Sequence, residues 1–70
     1  MDDTVAIEYI QLSNGRKTVA GSWQRIRCGI LNDPQLYNQE AYAVQRQFNF
    51  NVRIRVVEES TGRVVDILSS

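Results

Sequence analysis

Phe50, Val52, Ile54 and Val56 are apolar, and the residues between them, Asn51, Arg53 and Arg55, are polar. Successive side chains of a β-strand point to opposite faces of its sheet, so this strict alternation predicts a strand with one buried face. Just upstream the period changes. Tyr37, Ala41, Val44 and Phe48 recur at helical spacing and form one apolar stripe. Asp33-Pro34 marks its start, with a side-chain acceptor at the N-cap and a proline at the first helical position. Asn49 suits the left-handed geometry that ends a helix. Gln39, Gln45, Arg46 and Gln47 fall off the stripe and are expected to be solvated.

The segment Trp23 to Leu31 precedes the helix. As a strand it turns Gln24, Ile26, Cys28 and Ile30 one way; as a helix, capped by Ser22, it would align Val19, Trp23, Ile26 and Ile30. Gly29 weakens a helix and the apolar residues alternate, so strand is favoured. The middle of the chain then reads strand, helix, strand. Such a crossover is almost always right-handed and leaves its two strands parallel in one sheet. The helix stripe would cover Ile26, Cys28 and Ile30 from the first strand and the alternating apolar residues of the second.

The flanks read as β-hairpins. Residues 4 to 12 place Val5, Ile7 and Tyr9 on one face and Ala6, Glu8, Ile10 and Leu12 on the other. Asn14-Gly15 is a strong type I′ turn signal, with Arg16 to Ala20 returning antiparallel. A single strand from 16 to 31 would span roughly 50 Å, so a break is expected at Gly21-Ser22. After the helix, Glu59-Ser60-Thr61-Gly62 reads as a turn, and Arg63 to Leu68 as the last strand. The expected fold is α+β: one domain over residues 1–70, with a twisted, mainly antiparallel sheet of four or five strands and one helix on one face.

Arg-Ile-Arg occurs twice, at Arg25-Ile26-Arg27 and Arg53-Ile54-Arg55. If both isoleucines lie under the helix, Arg25, Arg27, Arg53 and Arg55 decorate the uncovered face together with Trp23. Seven of the eight basic residues are arginines, whose planar fork pairs with carboxylate or phosphate and stacks on aromatic rings. The face could meet acidic groups of a protein partner, with Trp23 as an anchor. It could instead bind nucleic-acid phosphates with aromatic stacking on bases. The plainest alternative is that the arginines pair with Glu8, Glu58 and Glu59 and keep the sheet soluble, with Trp23 covering the face. Acidic and basic residues balance at eight each, and non-specific phosphate binding is electrostatic. A protein partner is therefore the preferred expectation.

Other chemistry finds little support. There is no histidine and one cysteine, Cys28, so no disulfide framework, metal-ligand set or paired base for a thiol nucleophile is expected. Cys28 is expected to be a small buried hydrophobe. The four glycines are too scattered for a phosphate loop. Glu58 and Glu59 point to opposite faces of a strand and make a poor acid–base pair. The expectation is a non-enzymatic binding domain (an adaptor, inhibitor or assembly subunit) without cofactor. No stretch approaches the ~20 apolar residues of a membrane span, and the acidic start lacks the features of a signal peptide. A soluble, cytoplasmic protein without membrane partners is expected. Seventy residues bury only roughly 60% of the unfolded chain's surface, so a second copy forming a homodimer would help a thin core. A second candidate surface is the outer side of the helix around Tyr42 and Arg46.

Overall fold

The computed structural model describes residues 3–12 and 22–69; the side chain of Ser69 is not described. The elements are β1 (Thr4–Gln11), β2 (Gln24–Leu31), α1 (Pro34–Gln47), β3 (Val52–Glu58) and β4 (Val64–Ser69). The four strands form one sheet in the order β2-β1-β3-β4, with every neighbouring pair antiparallel. This is the expected α+β domain: four strands among the described residues and one helix packed on the sheet. β2 and β3, joined through α1, run parallel to one another with β1 between them. The Asn14-Gly15 turn, the return strand from Arg16 to Ala20 and Gly21 of the expected break lie outside the described residues.

The core is where the two periodicities meet. Val5 and Ile7 of β1 and Val52, Ile54 and Val56 of β3 are fully buried against Tyr37, Ala41 and Val44 of α1. Tyr9, Ile26, Ile30, Phe48, Val65 and Leu68 pack around this cluster. The Tyr9 and Phe48 rings stack 4.8 Å apart, which seats the end of the helix on β1. No described helix is long and apolar enough to cross a membrane.

Helix capping follows the residues that signalled it. The Asp33 carboxylate accepts from the Gln35 N–H at 3.0 Å, and Pro34 opens the helix. At the other end, Asn49 takes a φ of 55°, its N–H donates to the Arg46 carbonyl, and the Phe50 N–H donates to the Gln45 carbonyl at 2.7 Å. That pair of bonds is the Schellman arrangement. Asp33→Ala should cost about 1 kcal/mol of stability, because one N-terminal donor loses its partner. Urea unfolding of the variant would measure this, and an unchanged midpoint would deny the cap any energetic role.

Three expectations about facing are corrected. Phe50 does not start the strand or lie under the helix: it sits in the Schellman turn at φ 60°, is exposed, and tilts against Tyr42 at 5.8 Å. Gln45 is 7% exposed rather than solvated, because it lies one turn beyond Ala41 and next to Val44, on the margin of the buried stripe. The third concerns β2, where alternation fails. Its pairing with β1 shifts twice, between Val5↔Ile30 and Ile7↔Arg27 and again between Ile7↔Arg27 and Glu8↔Arg25. These are β-bulges, and the first contains Gly29 at φ 69°. An extra residue reverses side-chain parity, so Cys28 is exposed instead of lying beneath the helix. Arg27 is paired with Ile7, on the helix side of the sheet.

Candidate functional site

The face of the sheet away from α1 is built from the residues that alternate with the core. On β1 these are Ala6, Glu8 and Ile10, opposite Val57, Arg55 and Arg53 of β3. β2 contributes Arg25, opposite Glu8, and β4 contributes Ile67, opposite Arg55. Trp23 lies just before β2. Of the five predicted site residues, the structure brings Arg25, Arg53, Arg55 and Trp23 to this face. Arg27 is not among them. Its Nε lies 3.9 Å from a Glu40 carboxylate oxygen on the helix, which agrees with its pairing to Ile7.

Glu8 organises the face. Its Oε1 accepts from Arg55 Nε at 2.7 Å. Its Oε2 accepts from Arg25 Nη2 at 3.1 Å and from Arg25 Nε at 3.2 Å. One carboxylate on the middle strand thus ties together the two strands that flank it. Burial pushes the Glu8 carboxyl up. The hydrogen bonds from Arg55 and Arg25 and their positive charges outweigh that effect, and its pKa lies below the ordinary value.

The arginine that Glu8 holds most closely also meets the aromatic. The guanidinium carbon of Arg55 lies 4.4 Å from the centre of the Trp23 ring, a cation–π contact. Arg55 is therefore fixed on two sides, by a carboxylate at Nε and by an indole face. Its side chain stays 30% exposed, and among the described residues its hydrogen bond is made at Nε. Arg53, two residues along the same strand, is half-buried and makes no ion pair with a described residue. Alternate residues of a strand are roughly 7 Å apart, so Arg53 and Arg55 form one short cationic row.

The other acidic residues proposed as arginine partners serve the backbone and the turn. The Glu59 carboxylate accepts from the Gly29 N–H at 2.7 Å, satisfying a donor that the β2 bulge leaves out of the ladder. Glu58 accepts from the Thr61 hydroxyl at 2.8 Å and lies 4.0 Å from Arg63. Ala6 and Val57 are almost inaccessible although they belong to the face without the helix. The face is thus apolar and buried at Ala6 and Val57, and charged around Glu8.

On the outer side of α1, Tyr42 is 53% exposed, and the Arg46 guanidinium lies 6.0 Å from its ring centre. Among the described residues, no cluster of three or more His, Cys, Asp or Glu could hold a metal ion.

Compared with known proteins, the chain matches no family model, no curated protein and no solved structure.

Proposed function

We infer that this is a small non-enzymatic protein-binding domain, an adaptor, inhibitor or assembly subunit, that docks its partner on the sheet face away from α1, around Trp23, Arg53 and Arg55. The observation that supports this most is the Trp23–Arg55 pair clamped by Glu8. Tryptophan and arginine are the residue types that most often dominate binding energy at interfaces. Holding them in place before the partner arrives lowers the ordering cost of association. The partner chemistry that fits is a carboxylate-bearing surface. Arg53 and the Nη atoms of Arg55 would take the acidic groups, and an apolar group would lie along Trp23.

The same atoms argue against a phosphate backbone. Glu8 places a carboxylate in the middle of the face and neutralises part of its positive charge, and Arg27 is turned to the other side. A nucleic-acid binder needs several uncompensated cations. A homodimer remains compatible with this use if it runs through a sheet edge, because the face then stays open.

Mobility-shift titrations with single- and double-stranded DNA and RNA across a salt series separate the two readings. The protein-binding reading predicts no shift at micromolar protein. Micromolar binding that weakens steeply with salt would overturn it.

A further inference from the structure

The two outer strands of the described sheet differ, and the difference concerns the backbone. β2 carries two bulges and a positive-φ glycine whose N–H is taken by Glu59. Bulges that twist an edge out of register are a common protection against strand addition. β4 has one irregularity, near its start at Val65, and runs in regular register from Asp66 to Ser69.

The hydrogen-bond phase of the sheet shows which β4 groups point outward. Leu12 N–H donates to the Asn51 carbonyl and Glu59 N–H to the Thr4 carbonyl, at 2.9 and 3.1 Å. These bonds bracket the β1–β3 register, so Arg53, Arg55 and Val57 turn their backbone groups to β1. Ile54 and Val56 then turn theirs to β4, and the bond from Glu58 N–H to the Arg63 carbonyl agrees. Ile67 lies opposite Arg55, so its own N–H and C=O point away from β3. The Ile67 N–H donates to Asp66 Oδ1 at 2.9 Å, a local substitute for a ladder bond. The Ile67 side chain is 62% exposed, the most of any large apolar residue described.

We propose that the outer edge of β4 pairs antiparallel with β4 of a second copy of this chain, about a two-fold axis at Ile67. Two-fold edge pairing keeps the faces of both sheets aligned, so it joins residues of the same facing. An axis at Asp66 would bring two carboxylates together, which is unfavourable. An axis at Ile67 instead sets Asp66 opposite the second copy's Leu68. It also pairs the two Ile67 side chains and exchanges two hydrogen bonds between their main chains. Ile67 N–H leaves the Asp66 carboxylate to make one of them. The chain has no net charge, so no long-range repulsion opposes the approach. The result is one sheet of eight described strands with the two faces away from α1 on the same side.

Sedimentation velocity on the full chain, from about 10 µM to about 1 mM, tests this. The sedimentation coefficient of the unaltered protein should rise with concentration to that of a dimer of the 8.0 kDa chain. Ile67→Lys puts charges at the axis and should weaken dimerisation at least about tenfold. Ile67→Pro removes the outward N–H, which takes no part in the β3 ladder, and should do the same. Cys28→Lys, on the exposed part of the β2 edge, should leave the dimer unchanged, and circular dichroism would confirm that each variant is folded. A monomer throughout the series overturns the proposal. So does a dimer that resists Ile67→Lys, or one that Cys28→Lys dissociates.

Discussion

Replacing Ile54 by alanine should lower the free energy of unfolding by about 2–5 kcal/mol, the largest stability effect expected of a single truncation here. Ile54 is fully buried at the centre of β3, between β1 and β4 and beneath α1. Removing its outer carbons leaves a cavity that neighbours on three sides cannot close. A domain of this size holds only a few kcal/mol in reserve, so the variant should be partly unfolded at room temperature. Ile26 is the internal comparison. It sits in the equivalent Arg-Ile-Arg string but on an edge strand, and it is only partly buried against the core. Ile26→Ala should therefore cost clearly less, and Arg53→Ala should stay within about 0.5 kcal/mol. Equal losses for Ile54→Ala and Ile26→Ala in urea unfolding would mean that β2 is buried as deeply as β3, which the register does not allow.

The second large effect is expected at Glu8. Glu8→Ala leaves Arg25 and Arg55 without their shared carboxylate, while both keep some access to water. The loss should fall between those of exposed and buried ion pairs, at about 1–3 kcal/mol. Trp23 should become more mobile as well, because Arg55 is held from one side only. It is the only tryptophan in the chain, so its emission reports on the site alone. The pH dependence has a definite sign. The folded-state pKa of Glu8 is lower than that of the unfolded chain, so the unfolded state binds more protons where the two differ. The stabilisation is complete above the unfolded value of about 4.3 and is lost as the pH falls through the folded value. Glu8→Gln cannot titrate. The stability gap between wild type and Glu8→Gln should therefore be constant near neutrality and shrink as the pH falls below the unfolded value and through the lowered folded one. A gap that persists undiminished at the acid end would show that the carboxylate charge contributes nothing.

The parts of the fold that were legible in the sequence are those in which one period runs unbroken. β1 and β3 pair one-to-one without interruption, and the α1 stripe sits between a proline-led start and an asparagine stop. Each periodic run predicts its own buried face, and the three faces agree. β2 was legible as a strand but not in its facing, because alternation holds only while every residue pairs one-to-one. Two bulges break that count, and Arg27 and Cys28 change sides. Gly29 was the available signal: a glycine inside a strand pattern often marks a bulge. Phe50 escapes the pattern because an apolar residue at an alternating position is indistinguishable, by sequence, from one in the turn that ends the helix. At the site, strand parity and the observed register agree in setting Arg25 and Arg55 opposite Glu8, and Arg53 opposite Ile10. Glu8 was visible only as one of several acidic partners for the arginines. Its role in joining three strands depends on β1 lying between β2 and β3, and no local pattern encodes that order.

The most direct test of the open face as the binding surface is a comparison of partner affinity across single substitutions. Wild-type protein would be used to capture its partner, and the purified partner then titrated against each variant with Trp23 or a label as reporter. The account predicts that Arg53→Ala and Trp23→Ala each weaken binding at least about tenfold, with Arg53→Ala unfolding at the same denaturant concentration as wild type and Trp23→Ala losing about 1 kcal/mol with its Arg55 contact. It also predicts that Arg27→Ala and Arg46→Ala, which lie on the helix side, change affinity by less than about threefold. Loss of binding with Arg46→Ala or Arg27→Ala, and full affinity with Arg53→Ala and Trp23→Ala, would place the interface on the helix and contradict the account.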